Sequence, residues 1–252
     1  MDLHNIRSAM DTALGIVFPR SCVLCGSGEG DEPLFCAGCR KLLRHEMAQP
    51  ACPRCGHSIG PYGLQNGRCH ACRHSRPHLD ALVRIGPYGD ATASIVRAFK
   101  YGGRDELDIY LAELLAEVIG LADWFESADA MVYVPTHWRH AMGRKFYAPR
   151  VLARSASRSV GIPLVPLLRR TRGGPHQFDV PRTQRSANIR GKFAMLRGAR
   201  VQGARICLVD DVSTTGATLN ECARTLKQAG AAAVYGAVIA KVNTDFNPSE
   251  RV

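Results

Sequence analysis

Apolar residues along this 252-residue chain follow two patterns, and the change between them divides the chain. From residue 81 onward, short and almost continuous apolar runs alternate with segments of helical periodicity. This β-α-β order predicts a doubly wound, mostly parallel α/β sheet over residues 81–245. The predicted strands are 81–88, 131–135, 163–168, 205–211 and 233–241, and the predicted helices are 91–101, 106–122, 144–161 and 216–230.

The first 19 residues carry a separate helical pattern. Their apolar positions predict an amphipathic helix over residues 1–19 that packs on its own domain. Asp2, Arg7 and Asp11 interrupt this segment, and it lacks the apolar core of a secretory signal. No stretch approaches the roughly 20 apolar residues that a membrane span needs. We therefore expect a cytoplasmic protein without a membrane span.

Ten cysteines are present, and eight of them form four C-x-x-C pairs. Such a turn presents two sulfurs to a tetrahedral zinc ion, and four regular pairs exceed what a redox site uses. A reducing compartment also favours metal over disulfides. We predict a double zinc ribbon over residues 20–76, with two structural Zn²⁺ sites built from sequential pairs, while an interleaved pairing stays open. The predicted ligands are Cys22, Cys25, Cys36, Cys39, Cys52, Cys55, Cys69 and Cys72.

Basic residues concentrate in one part of the chain. The formal net charge is +11, and residues 139–205 contain 16 Lys or Arg against one acid, Asp179. Such a segment either forms a solvated surface or meets a polyanion. Within it, residues 170–192 show no periodicity and are rich in Arg, Gly, Pro and Gln. A loop of this length between sheet strands predicts a flexible lid over the strand ends.

The most informative stretch is RICLVDDVSTTGATL, residues 205–219. Asp210 and Asp211 stand at the carboxyl end of the clearest strand, where parallel sheets bind their ligands. The next residues are small, rich in hydroxyls and run directly into a helix, whose N-terminus attracts anions. This is not a Walker A loop, because the Lys of that motif is missing. The pattern predicts a phosphate site beside two carboxylates, which fits a ribose 5-phosphate whose diol meets the acids.

The alternative interpretation of this stretch is ordinary helix capping by Asp and Thr side chains. Capping requires one such residue, whereas two carboxylates and four hydroxyls cluster here within a few positions. We therefore favour the ligand site over the cap.

The segment LVDDVSTTGATL resembles the signature with which type I phosphoribosyltransferases bind phosphoribosyl pyrophosphate (PRPP). The wider chain resembles the ComF family of competence-related proteins. The resemblance covers the cysteine-rich module, AFKYGGR at 98–104, VPTHWR at 134–139 and an Arg-rich series from 169 to 193. It implies a type I phosphoribosyltransferase fold preceded by the zinc ribbon, and a link to competence or salvage.

The resemblance also implies a reaction and roles for individual residues. PRPP would bind with Mg²⁺ held between the ribose diol and the pyrophosphate, and the phosphoribosyl group would pass to an unknown acceptor. Asp210 and Asp211 would bind the diol, and the implied catalytic residues are Asp210, Asp211, Arg139 and Lys100. The 5-phosphate would be bound by Ser213, Thr214, Thr215, Gly216, Ala217 and Thr218, and the pyrophosphate by His137, Arg139, Arg144, Lys145, Arg182, Arg185 and Arg190.

Two departures from the family pattern bear on the acceptor. Residues 144–148 read RKFYA where the family usually carries a run such as RGFNQ. Thr214 stands where purine-type relatives carry an acid that works as general base. The first difference changes residues expected to contact the pyrophosphate or the acceptor, and the second argues against ordinary purine salvage.

Two other functions stay open at this point. A PRPP sensor would bind its ligand without turnover. A nucleic-acid-binding adaptor would place the zinc ribbons and the basic segment on single-stranded DNA, or beside a helicase of DNA uptake. The aromatic content of 7% and the lack of a visible stacking platform argue against the adaptor.

Overall fold

The structure is a computed structural model, and it describes residues 21–28, 34–73, 77–101, 105–135, 147–171 and 189–243. Helices and strands alternate from residue 81 onward, as the sequence pattern predicts. The helices are α1 (Ala37–Met47), α2 (Asp90–Tyr101), α3 (Asp105–Gly120), α4 (Ala148–Val160) and α5 (Ala217–Gln228). The strands are β1 (Ala81–Pro87), β2 (Ala130–Tyr133), β3 (Leu168–Arg170), β4 (Phe193–Met195), β5 (Arg205–Ser213) and β6 (Ala233–Lys241).

Four strands form a parallel sheet in the order β1-β6-β5-β2. Apolar side chains of alternate residues leave opposite faces of β5, so that Cys207 and Val209 join one core and Ile206 and Leu208 join the other. Helices α2, α3 and α4 cover the first face and α5 covers the second. The prediction of a doubly wound parallel sheet is confirmed.

The sequence prediction of a strand at residues 163–168 is wrong in its extent. Leu164 alone forms a parallel bridge to Met131 of β2, and the regular strand β3 begins only at Leu168. Pro163 and Pro166 lack the N–H groups that a continuous ladder requires. Strand β3 pairs instead with β4, an antiparallel partner that the sequence pattern does not predict.

Helix α4 starts at Ala148, after Tyr147 as its N-cap residue, so it is shorter than the predicted 144–161 segment within the described residues. Pro149 lies in its first turn, where the missing N–H has no intrahelical partner in any case. The helix ends at Gly161, whose φ of 75° supplies the left-handed cap.

The cysteine-rich region packs on the α/β domain through several contacts, and two of them bear on the site described below. In the first, Glu46 of α1 accepts hydrogen bonds from the N–H groups of Ala91 and Thr92, at 3.0 and 2.9 Å, and so caps the start of α2. In the second, the side chains of Ser58 and Asn243 are hydrogen-bonded to each other, and the N–H of Ser58 donates to the amide oxygen of Asn243 at 3.0 Å. The first contact reaches the start of α2, and the second reaches the segment that directly follows β6.

None of the described helices combines the length and the apolar character that crossing a bilayer demands.

Candidate functional site

The aspartates at the end of β5 meet a lysine from another part of the chain. Nζ of Lys100, at the last turn of α2, lies 2.7 Å from Oδ2 of Asp211. The two side chains are 26% and 16% exposed, so the ion pair is partly screened from water. The family resemblance implies a role for both residues at the site, and the fold brings them together although 111 positions separate them along the chain.

Two further oxygens of the pair accept hydrogen bonds from their own strand. The N–H of Asp211 donates to Oδ1 of Asp210 at 2.9 Å, and the N–H of Val212 donates to Oδ1 of Asp211 at 2.6 Å. The N-cap of α5 is Gly216, which offers no side-chain cap, and the N–H of Ala217 donates to Oγ1 of Thr215 at 3.3 Å. Neither aspartate therefore serves as the helix cap of the alternative interpretation.

This arrangement raises the pKa of Asp210. Burial raises the pKa of its carboxyl well above the usual value, and the neighbouring charge of Asp211 raises it further. The backbone bond from Asp211 and the charge of Lys100 act in the opposite direction but do not cancel these effects. A cation placed between the two carboxylates would relieve the repulsion and restore the ionised form.

The residues after the aspartates form a tight turn into α5. Gly216 has a φ of 80°, a left-handed conformation that glycine adopts without strain. The side chain of Ser213 is 3% exposed, and its Oγ has no hydrogen-bond partner among the described residues. A buried hydroxyl without a partner at a helix N-terminus is a donor ready for a ligand oxygen. We call residues 213–218 the phosphate loop.

Lys241, the last residue of β6, supports this loop and was missed by the sequence analysis. It lies opposite Ser213 in the β5–β6 register and is 5% exposed. Its Nζ donates hydrogen bonds to the carbonyl oxygens of Thr214 and of Val242. Burial lowers the pKa of its ammonium group. The sequence does contain a signal for this residue, because a lysine at the end of an otherwise apolar strand indicates a role at the ligand-binding edge of the sheet.

A second unpredicted contact joins α5 to Gly191, near the end of the predicted 170–192 loop. The carboxylate of Glu221 in α5 accepts two hydrogen bonds from Arg224, at 2.5 and 2.9 Å, and one from the N–H of Gly191 at 2.6 Å. The bond from Arg224 is the main cause that lowers the pKa of Glu221. Arg190, which the sequence analysis places in the lid, lies next to this cluster and contributes to the same lowering.

Several predicted site residues lie outside the part of the chain that the structure describes. Two described residues that flank positions 136–146 contact each other, since the hydroxyl of Tyr147 donates to the carbonyl of Val134. Tyr147 also packs edge-on against Tyr133 at 5.8 Å between ring centroids. The residues outside the described ranges are His137, Arg139, Arg144, Lys145, Arg182 and Arg185.

The eight predicted metal ligands form two separate clusters. All ligand sulfurs within a cluster lie within 4.8 Å of one another. Four pairs of sulfur atoms within the clusters are separated by 3.5 to 3.9 Å. Four sulfurs bound at about 2.3 Å to one tetrahedral zinc ion would be about 3.8 Å apart. The geometry fits zinc and confirms the sequential pairing: Cys22, Cys25, Cys36 and Cys39 in the first ribbon, and Cys52, Cys55, Cys69 and Cys72 in the second.

Comparisons with protein families match two separate parts of the chain. Residues 13–75 match the family model of the double zinc ribbon domain. Residues 150–251, which include the phosphate loop, match that of the phosphoribosyl transferase domain.

Two relatives match most of the chain. Competence protein F of Haemophilus influenzae is 27% identical over 201 residues, which span 78% of this chain and 85% of that protein. The DNA utilization protein YhgH of Salmonella typhi is 29% identical over 204 residues, 79% of this chain and 87% of that protein.

A remote structural likeness also exists to an allosteric regulatory enzyme of purine biosynthesis. The likeness has a TM-score of 0.39 and 22% identity, and it covers 57% of this chain. The matched part spans only 30% of that longer enzyme.

Proposed function

We propose that this chain, which is similar to competence protein F and matches the double zinc ribbon and phosphoribosyl transferase domains, binds PRPP with Mg²⁺ and transfers the phosphoribosyl group. The acceptor receives the anomeric carbon and pyrophosphate leaves. The observation that carries this proposal is the juxtaposition of the Asp210–Asp211 pair with a phosphate loop whose Ser213 hydroxyl is buried and has no partner in the described chain.

Binding of the sugar uses the two parts of the site together. The phosphate loop holds the 5-phosphate, and the carboxylates accept hydrogen bonds from the ribose hydroxyls. Nζ of Lys241 donates a hydrogen bond to the carbonyl of Thr214 and so holds the loop in its shape. Binding energy at the phosphate, remote from the reacting carbon, then orients the anomeric centre.

The carboxylate pair also suits the divalent cation. Mg²⁺ prefers oxygen ligands, and Asp210 and Asp211 offer them at one strand end. When bound with PRPP, Mg²⁺ supplies positive charge to the departing pyrophosphate. Lys100 adds a fixed cation beside the pair, at 2.7 Å from Asp211, and holds that carboxylate in place before the ligand arrives.

Turnover is tested with the full chain, PRPP and Mg²⁺ against a panel of nucleobases, nucleosides and amines. We expect pyrophosphate release that depends on an acceptor and that is lost when Mg²⁺ is omitted. The variant Lys100→Met should lower turnover by at least about tenfold, since one fixed positive charge leaves the site. Tight PRPP binding with no pyrophosphate release under any of these conditions would make the protein a sensor instead.

Nucleic-acid binding is the second candidate, and one surface favours it. Arg150, Arg154 and Arg158 are exposed and recur every four residues, so they form one stripe along α4. The names of the relatives, which refer to competence and DNA utilization, agree with such a role. Single-stranded DNA binding that weakens steeply with salt, and that fails in the triple Arg→Gln variant of this stripe, would support it. Salt-insensitive or absent binding would count against it.

A further inference from the structure

A cavity joins the phosphate loop to the second zinc ribbon. Its volume is about 520 Å³, well above what one phosphate group fills. Its lining includes residues of the phosphate loop and the first turns of α5, and also the ribbon around Cys55 and Cys72. Residues 77–79, which follow that ribbon, line it as well.

The charge of the lining suits an anion larger than a single phosphate. Arg54, Arg190, Arg224 and Lys241 contribute positive charge, whereas Glu221 is the one carboxylate among the described lining residues. Both carboxylate oxygens of Glu221 are already bound by Arg224 and Gly191. The lining therefore stays positive even when the doubly negative charge of a four-thiolate zinc centre is included.

The cavity leads away from the diol side of the site. The described residues that line it include Ser213 and Gly216, but not Asp210, Asp211 or Lys100. A phosphate in the loop thus has the carboxylates on one side and open volume on the other. The apolar side chains of Leu79 and Leu82 face that volume, as a nucleobase or other flat group requires.

From this arrangement we infer that the loop binds a bridging phosphate: its ligand is a ribose 5-phosphate whose phosphate is linked onward to a nucleotide. The sugar lies at the aspartates, and the linked nucleotide occupies the cavity against the second ribbon. The inference rests on the phosphate loop of the proposed function and extends its ligand beyond PRPP. Such a link occurs as a pyrophosphate in ADP-ribose and as a phosphodiester at the 3′ end of a nucleic acid.

The test compares two probes that share the same sugar phosphate. Calorimetry on the full zinc-loaded chain, with Mg²⁺, measures ribose 5-phosphate and ADP-ribose side by side. We expect ADP-ribose to bind at least about tenfold more tightly, because only it reaches the cavity. A short oligonucleotide that ends in a 3′-terminal ribose without a base forms a third arm. Tighter binding than that of ADP-ribose would identify nucleic acid as the source, and weaker binding a free nucleotide.

A bulky substitution in the cavity tests the contribution of the cavity to binding separately from that of the phosphate loop. Ala71 is exposed, lies inside a C-x-x-C turn of the second ribbon and lines the cavity. We expect Ala71→Trp to abolish the advantage of ADP-ribose and to leave ribose 5-phosphate affinity within about twofold. The matched control is Ala37→Trp, in a C-x-x-C turn of the first ribbon, where Ala37 is exposed and outside this lining. Zinc analysis confirms that both variants keep their ribbons.

Each contrary result has its own meaning. If ribose 5-phosphate binds and ADP-ribose binds more weakly, the cavity is closed to a linked group and the inference is wrong, while the proposed function stands. An unchanged ADP-ribose advantage in Ala71→Trp would also overturn it. If neither probe nor PRPP binds, the proposed function fails first and the inference falls with it.

Discussion

The buried ammonium group of Lys241 donates a hydrogen bond to the carbonyl oxygen of Thr214, and this contact ties the end of β6 to the phosphate loop. The loop is thus held by two neighbouring strands rather than by β5 alone. Its shape before a ligand arrives depends on a side chain 27 residues away.

Removal of this support should weaken the phosphate site. We expect Lys241→Met to lower ribose 5-phosphate affinity by about tenfold, because the carbonyl of Thr214 loses its donor and the loop relaxes. The free energy of unfolding should fall by about 1.5–3 kcal/mol, the usual cost of losing a charged hydrogen bond. Calorimetry and urea unfolding measure the two effects. Lys41→Met, at an exposed position of α1, is the control and should change neither quantity.

The raised pKa of Asp210 makes a prediction about pH. In the unfolded chain this carboxyl has its ordinary, lower pKa, so above the folded-state pKa the folded protein bears the cost of a buried negative charge. Asp210→Asn imitates the protonated side chain and should raise the melting temperature at alkaline pH. The gain should shrink as the pH falls through the folded-state pKa, because the wild-type carboxyl then becomes neutral as well. A gain of the same size at every pH would contradict the buried charge.

Glu46 should control the start of α2, the helix that carries Lys100. Both of its carboxylate oxygens accept N–H groups at that helix N-terminus, and the residue is 7% exposed. We expect Glu46→Ala to lower the free energy of unfolding by about 1–2 kcal/mol, since the cap and its favourable charge are lost together. Glu113→Ala, on the exposed side of α3, should cost much less in the same urea titration. Equal losses in the two variants would show that Glu46 is not a cap in solution.

The cysteines should divide into eight metal ligands and two inert thiols. We expect about two zinc ions per chain and no rapid labelling of Cys207 or Cys222 in the native protein. Both inert thiols are fully buried, and burial raises the pKa of Cys207 to about 12 and raises that of Cys222 as well. Metal analysis and thiol titration measure these properties. A folded protein with no zinc and eight titratable thiols would refute the ribbon assignment.

The sequence predicts the parts of this molecule that have short-range patterns. The C-x-x-C spacing identifies all eight ligands, and the apolar run before Asp210 identifies the central strand and its ligand-binding end. These features work because the residues involved are close in sequence, and local geometry brings them together. Lys100 was identified only through the family resemblance, and the structure now places it at Asp211.

The supporting contacts escape such reasoning because they join distant positions. Glu46 and Ala91 are 45 residues apart, and Glu221 and Gly191 are 30 apart. No local sequence pattern distinguishes these glutamates from exposed ones on other helices, such as Glu113. The cavity between the phosphate loop and the second ribbon likewise arises only from how two separate regions pack. The prediction of a strand at residues 163–168 is wrong for a local reason. It follows the apolar pattern, whereas Pro163 and Pro166 lack the N–H groups that a continuous strand ladder needs.

The most direct test of the central claim is PRPP affinity in the double variant Asp210→Asn, Asp211→Asn, measured by calorimetry with and without Mg²⁺. The variant keeps the size of both side chains and removes both charges, so the fold and the phosphate loop should persist. If the pair binds the ribose diol and Mg²⁺, PRPP affinity in Mg²⁺ should fall by at least about tenfold, ~1.4 kcal/mol, while inorganic phosphate still binds. An unchanged affinity for PRPP in the folded variant would contradict the sugar-binding site at Asp210 and Asp211.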